Sequence, residues 1–489
     1  MIKSLSCKGF RSFATKQTLE LAIPNGKKGS GLTVLIGPNG GGKSTLVECF
    51  QKISIRHGNV SFTSGKRNKQ SGDKVSIEVI FDESSASLST VEGGGSEAVW
   101  NTYNRPRVYF LPARRVFNPY FGRNIWDRST YINNPEISQF RASVSNNFSY
   151  RLFDISKNSE DFNNLFWRIL GKKLEWTIDQ EDSGNYYVKV TKQGGIIHNS
   201  DGLGEGIISL MFITDAINNS NPNEVIVIDE PELSLHPQLQ SRLLDALMEI
   251  TSDTQVVIST HSPNMVSMES IVNGGVIARI HEENNASVIN EIDDKCRSLC
   301  KSTLRNINNP HIFGNDARSC FFTEDGLIIT EGQEDVVLYP QIARQIGIEP
   351  NIPFFGFGAG GASRIADIAY ILHSLGFKQV GAIFDGDKQK DYDSFCKQYK
   401  QYGYKAWIIP SVDVRDKPER NIKKKEGLNM RTLSYFLDAV AELDLALNII
   451  TERIPCFADW HVKEPYIVAT ITCRQEDAAF VEYMLAPFV

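Results

Sequence analysis

The chain has 489 residues and a mass of 54.8 kDa, which at roughly 100–200 residues per domain predicts two to four domains. Apolar residues make up 41% and charged residues 22%, which excludes a fibrous, collagen-like or wholly disordered chain. A net charge of −6 excludes coating of nucleic acid by bulk charge, so any DNA or RNA site must be a local patch.

The opening, Ile2 to Phe13, alternates like a strand and turns at Gly9. Residues 32–36 (LTVLI) form a short apolar run suited to a buried parallel strand, followed by a glycine-rich turn and a helical pattern from Ser44 to Ile53. Residues 75–81 predict another strand, and the polar segments 63–74 and 92–97 predict mobile loops. From about 115 to 200 the pattern predicts a partly helical insert on one side of the core. Residues 225–228 (VIVI) and 255–259 (QVVIS) predict two more buried strands, with a helix over Leu239–Ile250 between them. A second alternating series begins near 322. Strand 327–330 leads to helix 335–346, and strand 353–357 to the turn GAGGAS and helix 364–375. Strand 380–384 ends in an acidic turn, and strand 405–409 follows. Strands alternating with helices at this spacing imply a parallel sheet. The basic run 415–425 breaks the pattern, and helix, strand and helix complete the chain.

No run approaches the roughly 20 apolar residues that a membrane helix needs, and MIKSLSCKGFRSF has no signal core. The eight cysteines are scattered. Cys296 and Cys300 are the closest pair and lack a second pair at zinc-finger spacing, so all eight read as reduced, structural thiols of a cytoplasmic protein.

Gly37-Pro38-Asn39-Gly40-Gly41-Gly42-Lys43-Ser44, then Thr45, fits the P-loop pattern GxxxxGK[ST] between a strand and a helix. Its glycines turn successive N–H groups onto phosphate oxygens, and the helix N-terminus adds partial positive charge. Lys43 is expected at the β- and γ-phosphates of ATP and Ser44 on Mg²⁺. The strand Val225–Ile228 ends in Asp229, placed to hold that Mg²⁺ through water, and Glu230, placed to polarise the attacking water.

Together, GPNGGGKST, VIVIDEPELSLHP and ISTHSPNMV resemble the ATPase head of the ABC superfamily, in the branch shared with SMC and RecF proteins. The opening IKSLSCKGFRSF is similar to the first strand of that branch. The resemblance implies that His261 is the switch histidine sensing the γ-phosphate and that Pro231–Pro237 meets a partner head. It aligns Ser200-Asp201-Gly202-Leu203-Gly204-Glu205-Gly206 with the signature motif that binds nucleotide across a dimer. Gly204 falls where a serine is usual, unless Ser200 supplies the hydroxyl in a shifted register. Either departure implies slow or conditional hydrolysis. The chain has no room for a long coiled coil.

The second series carries its own acids. Glu331-Gly332 follows one strand end and Asp385-Gly386-Asp387 another, at the carboxyl ends of strands where parallel sheets build sites. Glu331, Asp385 and Asp387 would make an oxygen-rich cluster suited to Mg²⁺ or Mn²⁺ and to attack of water on a phosphodiester. This order, with the GFGAGGAS turn between, resembles the Toprim domain. In that domain a second acid often follows the EG turn, which makes Glu334 and Asp335 further candidates, Asp335 as a metal ligand.

An ABC head followed by Toprim is the architecture of the OLD (overcoming lysogenisation defect) nuclease family, and the resemblance covers about residues 1–415. The fold expected is α/β: an ABC/SMC-like P-loop ATPase domain over 1–310, a parallel-sheet Toprim domain over 322–415 and a C-terminal α/β tail over 416–489. The family implies ATP-regulated cleavage or nicking of DNA, often in anti-phage defence. Its members act as homodimers or larger homo-oligomers, alone or with a helicase-like protein or a retron reverse transcriptase with its RNA and DNA. Further catalytic acids and a lysine follow the DxD in such nucleases. Here Asp413, Asp416 and Lys417 could complete the site or form a solvated loop, and Lys423–Lys425 could touch a DNA backbone or face solvent. Arg114 and Arg115 could reach nucleotide or DNA, or form a salt-bridged surface pair. Two rival readings are a non-nucleolytic ATPase sensor whose second sheet scaffolds a partner, and a RecF-like repair ATPase.

Overall fold

The computed structural model describes residues 1–55, 59–91, 95–115, 120–123, 125–127, 129–130, 148–191, 197–199, 202–221, 224–304, 314–345 and 353–409. In chain order the elements are β1 (Ile2–Lys8), β2 (Gln17–Glu20), β3 (Leu32–Ile36), α1 (Lys43–Ser54), β4 (Val60–Ser61), β5 (Ser76–Phe81), β6 (Ser84–Thr90), β7 (Glu97–Trp100) and β8 (Arg107–Leu111). Next come α2 (Phe148–Lys157), α3 (Glu160–Leu170), β9 (Glu175–Gln180), β10 (Tyr186–Thr191), β11 (Ile197–Asn199), α4 (Glu205–Asn218), β12 (Glu224–Asp229), α5 (Pro237–Ile250), β13 (Gln255–Ser259), α6 (Met268–Asn273), β14 (Val276–Glu283), β15 (Ala286–Glu291) and α7 (Asp294–Leu304). The last group is α8 (Asn315–Ser319), β16 (Leu327–Ile329), α9 (Gln333–Gln345), α10 (Ala362–Ser374), β17 (Val380–Phe384), α11 (Gln389–Tyr399) and β18 (Lys405–Ile408).

Every residue of β3, β12 and β13 is buried. Such runs belong to parallel strands covered on both faces. They form the middle of a six-stranded sheet, β15-β14-β3-β13-β12-β8, parallel except for β15. Alternation divides the runs between two cores. Val225, Val227 and Val257 pack with α1 and an antiparallel sheet, β2-β1-β5-β6-β7-β4. Ile226, Ile228, Val256 and Ile258 face the helices of the other side. That second core continues through Leu327, Ile329, Val380 and Ala382 into the parallel sheet β16-β17-β18. The chain is therefore α/β, with a P-loop ATPase head and a second, smaller parallel sheet.

Three sequence expectations change. Residues 64–66 and 69–71 are short 3-10 turns rather than a mobile loop, bridged through Phe10 and Arg67 and through Arg11 N–H to Lys66 O at 2.8 Å. The region 148–191 is part of the core rather than a side insert. Phe148, Phe162 and Phe166 are fully buried, α3 packs on α4 and α5, and the buried Arg151 of α2 meets the buried Asp215 of α4 at 2.6 Å. The expected strand 353–357 reduces to one bridge, Ile328 to Phe354, because Gly356 and Gly358 take positive φ and turn the chain.

The head and the second sheet are bound by polar contacts as well as by the shared core. Arg279 of β14 is 1% exposed; it donates to Leu375 O at 3.3 Å and Thr323 O at 3.0 Å, and lies 3.9 Å from the Phe377 ring centre. Tyr370 donates to Asp293 at 2.7 Å, and Lys378 pairs with Glu283. Glu291, at the end of β15, accepts from Glu20 N–H at 2.8 Å; burial pushes its carboxyl up to about 7. The native state thus holds this proton over a window in which the unfolded chain has lost it, from the ordinary glutamate value up to about pH 7, and stability falls as pH rises through that window. Glu291→Gln keeps an acceptor for Glu20 and removes the titration. Its melting temperature should exceed that of the parent at pH 8 and match it at pH 4.5; an equal difference at both values would assign the effect to packing.

Candidate functional site: a nucleotide cradle and an acidic strand-end cluster

The register of the large sheet builds the first site. Asp229 pairs with Ser259, and Ser259 with Leu35, so the three central parallel strands end level. The next residues along each strand therefore lie side by side: the P-loop, Thr260-His261 and Glu230. Thr260 N–H donates to Leu35 O at 3.1 Å and Glu230 N–H to Ser259 O at 2.8 Å, which ties the row together.

Within the P-loop, Gly37, Gly40 and Gly42 have φ of 130°, 79° and 114°. A Cβ at Gly37 or Gly41 would lie 2.1 or 2.4 Å from Ile280 O, so β14 forces the loop to be glycine there. Asn39 and Gly40 are exposed, whereas Gly41, Lys43 and Thr45 are buried. Lys43 Nζ donates to Gly37 O at 2.7 Å and Pro38 O at 2.9 Å, which curls the loop around its ammonium. Ser44 is the second residue of α1, whose first N–H groups have no acceptor within the helix. An open rim, a central cation and a helix N-terminus fit a polyphosphate.

Asp229 is fully buried and Glu230 half-buried. Glu230 has φ of 47°, a left-handed conformation that costs a non-glycine residue about 1–3 kcal/mol and collects at functional sites. Glu232, which no motif in the sequence singles out, accepts from His261 N–H at 2.7 Å and so holds the backbone of that histidine; burial raises its pKa. The spacing of Glu232 from Asp229 carries no signal of this contact. His261 itself is exposed. Gly204 caps the N-terminus of α4, and a Cβ on Gly206 would meet Ser234 O at 2.3 Å, so the first turn of α4 rests on the Pro231–Pro237 loop. Ser200 lies outside the described residues.

Arg115 corrects both sequence readings. It is neither a surface pair with the exposed Arg114 nor open to a ligand, being 2% exposed and bonded to backbone carbonyls. Burial lowers its pKa to about 10.

The second cluster arises the same way. Ile329 pairs with Ala382 in parallel, so Glu331 and Asp385 follow neighbouring strands, and Asp385 N–H donates to Glu331 Oε1 at 2.8 Å. Gly360 and Gly361 N–H both donate to Glu331 O at 2.9 Å. Gly358, with φ of 78°, brings its backbone so near Gly332 that a Cβ would be 2.5 Å from Gly332 O. Asp335 accepts from Gly332 N–H at 2.8 Å, an N-terminal cap of α9. Burial first, then the charges of Asp385 and Asp335, hold the Glu331 carboxyl above the usual range. Asp387 is exposed and paired with Lys388, whose ammonium also feels Glu331 and Asp385. Glu334 is half-buried in the first turn of α9. Among the described residues no three His, Cys, Asp or Glu side chains form a metal cage. The donor set is nonetheless all oxygen, and a cation would relieve the carboxylate repulsion, so the chemistry fits Mg²⁺ or Mn²⁺. Asp413, Asp416, Lys417 and Lys423–Lys425 lie outside the described residues.

Comparison with known proteins agrees on the head. A family model described as "AAA domain, putative AbiEii toxin, Type IV TA system" matches residues 100–267, and one described as "AAA domain" matches residues 4–175. The Old nuclease of Escherichia phage P2 is 28% identical over 159 residues, 32% of this chain and 26% of that protein. These matches support an ATPase head similar to that of the OLD nucleases. The Septu protein PtuA of Bacillus mycoides is 24% identical over 285 residues, covering 53% of this chain and 38% of its own. The chain thus matches only about a quarter to two fifths of the length of these relatives. Among solved structures, an SMC head bound to the C-winged helix domain of ScpA covers 61% of the chain and 99% of itself at 14% identity and TM-score 0.40. The SMC head of Thermotoga maritima covers 60% and 99% at 15% identity and TM-score 0.35. No helix among the described residues is long and apolar enough to cross a membrane.

The raised pKa of Glu331 gives a test of the acidic cluster that needs no enzymatic activity. Millimolar Mn²⁺ should raise the melting temperature of the parent by linkage. Glu331→Gln should lose most of that rise while melting at or above the parent temperature without metal. An equal Mn²⁺ response in both proteins would place the cation elsewhere.

Proposed function

We propose that the chain is an ATP-regulated, divalent-metal-dependent DNA endonuclease or nickase serving anti-phage defence. The observation that carries this reading is the hydrogen bond from Asp385 N–H to Glu331. It joins two acidic turns at neighbouring parallel strand ends, in a unit that also carries a P-loop head. The resemblance of the EG…DxD series to Toprim and the match to the Old nuclease support it.

In the head, Lys43 and the loop N–H groups bind and orient the γ-phosphate, and Ser44 and Asp229 would hold Mg²⁺. Glu230 takes the proton of the attacking water, and His261 registers the γ-phosphate. In the second sheet Glu331 and Asp385 would hold Mg²⁺ or Mn²⁺, with Asp387 and Asp335 in support. A cation bound there supplies activation of water and neutralises charge on a phosphodiester. Glu331 is oriented by two backbone N–H donors to its carbonyl and one to its carboxylate. A second copy of the chain completes the nucleotide site, with Gly204 at the head of α4 facing the other chain's P-loop. Partners are DNA and, in some settings, a helicase-like protein or a retron reverse transcriptase. The Asp387–Lys388 pair favours one alternative, a non-nucleolytic sensor in which Lys388 serves as permanent counter-ion to the acids.

Plasmid incubated with Mg²⁺ or Mn²⁺, with and without ATP, separates these readings. The parent should nick or linearise it, and Asp385→Ala should lose cleavage while keeping ATP turnover. Glu230→Gln should bind ATP and hydrolyse it at least ~10²-fold more slowly. Cleavage by Asp385→Ala at the parental rate would end the nuclease reading and leave the sensor. Arg279→Ala removes the buried contacts of β14 with Leu375, Thr323 and Phe377 beside the second sheet. It should leave both activities measurable and abolish the effect of ATP on cleavage; ATP control persisting unchanged would exclude this route.

A further inference from the structure

The buried guanidinium of Arg115 has a task beyond packing. Its Nε donates to Ser209 Oγ on α4 at 2.7 Å. One terminal nitrogen donates to Pro112 O at 2.6 Å and Asp229 O at 2.8 Å, and the other to Glu230 O at 2.9 Å. Four acceptors from three segments thus converge on one planar cation, a geometry that a lysine's single ammonium cannot copy. Two of them are the carbonyls of the consecutive carboxylate residues at the strand end. Glu230 is also the residue held in left-handed conformation, and its peptide is gripped from both sides. Its N–H is bonded to Ser259 O at 2.8 Å, and its carbonyl accepts from Arg115 and from Leu233 N–H at 3.1 Å. Without Arg115 that carbonyl keeps only the turn bond from Leu233 within its own loop, so the loop as a unit can relax and swing the Glu230 carboxylate away from the row it shares with the P-loop.

Ser209 is one turn of α4 beyond Gly204 and Gly206, where the helix rests on the Ser234 carbonyl. Arg115 therefore joins the Gly204 end of α4 to the backbone that aims Glu230. We propose that Arg115 is a positioning residue for ATP hydrolysis. It fixes the Glu230 carboxylate for proton transfer and makes that aim depend on how α4 is seated. The inference rests on the ATPase reading above.

The test is Arg115→Lys, with Ser209→Ala as a milder second variant. ATP affinity, single-turnover hydrolysis and amide hydrogen exchange over residues 229–233 are measured in the full chain. Positioning predicts that Arg115→Lys lowers hydrolysis by ~10²-fold, the range expected for loss of a placed general base, with ATP affinity within threefold of the parent. Ser209→Ala should lower hydrolysis by about tenfold, again without changing affinity. Exchange at 229–233 should quicken in both variants. Hydrolysis within threefold of the parent in Arg115→Lys overturns the proposal. So does a fall in affinity that matches the fall in rate, since that marks a general loss of structure. Parental behaviour of Ser209→Ala overturns the link to α4. If the parent itself shows no turnover, the ATPase reading fails separately. Exchange then decides for Arg115 on its own: faster exchange supports the clamp, and unchanged exchange removes it.

Discussion

The rest of the molecule depends on the level register of its parallel strands. Hydrogen bonding puts Leu35, Ser259 and Asp229 in one row, so the loops that follow begin at the same height. A phosphate-binding turn, a histidine and a carboxylate scattered over more than two hundred residues of sequence become neighbours for that reason alone. The second sheet repeats the device with Ile329 and Ala382, and brings Glu331 to Asp385. In both places the candidate residues lie where strand carboxyl ends open, the region in which parallel sheets build sites. A slip by one residue in either pairing would turn alternate side chains to the opposite face and disperse both sites.

The parts legible in the sequence are those written in local patterns. The P-loop shows its glycines within six residues, because Ile280 O crowds Gly37 and Gly41 while Gly37, Gly40 and Gly42 take positive φ. The VIVIDE run shows itself because a strand buried on both faces is apolar throughout. The EG and DxD turns follow short apolar runs and could be placed on strand ends without coordinates. The antiparallel sheet carries a weaker local signal. Its β6 and β7 are short, serine-rich or half-exposed, with weak alternation. Helices α2 and α3 carry the signature of an insert because their surroundings are polar and Asn-rich. Their aromatic residues are nevertheless core residues, held by a buried Arg151–Asp215 pair whose members are 64 positions apart.

Arg115 and Glu232 mark the limit of sequence reading in the head. An arginine after a strand has no local feature that separates a solvent-facing cation from one that caps carbonyls 114 and 115 residues away. Glu232 lies in a loop rich in acids, and only the fold shows that it grips the His261 amide. These residues share no phosphate-contact pattern, because each acts on backbone. A backbone group is identical in every residue and leaves no trace in the sequence around it.

The same reasoning bears on how nucleotide could influence the second sheet. β14 touches the P-loop and the far end of α10 through adjacent residues of one short stretch. The carbonyl of Ile280 lies against Gly37 and Gly41, while the neighbouring Arg279 side chain anchors Thr323 and Leu375. Leu375 ends α10, whose first residue follows the Gly360-Gly361 pair that fixes Glu331. A shift of the P-loop large enough to move Ile280 must move Arg279, since they are adjacent residues of one strand. Arg279 cannot give way easily, being buried, stacked on Phe377 and surrounded by a close-packed core. A strand that meets the P-loop at Ile280 and the C-terminal end of α10 at Arg279 thus joins the nucleotide cradle, through packed residues, to the helix that begins beside Glu331.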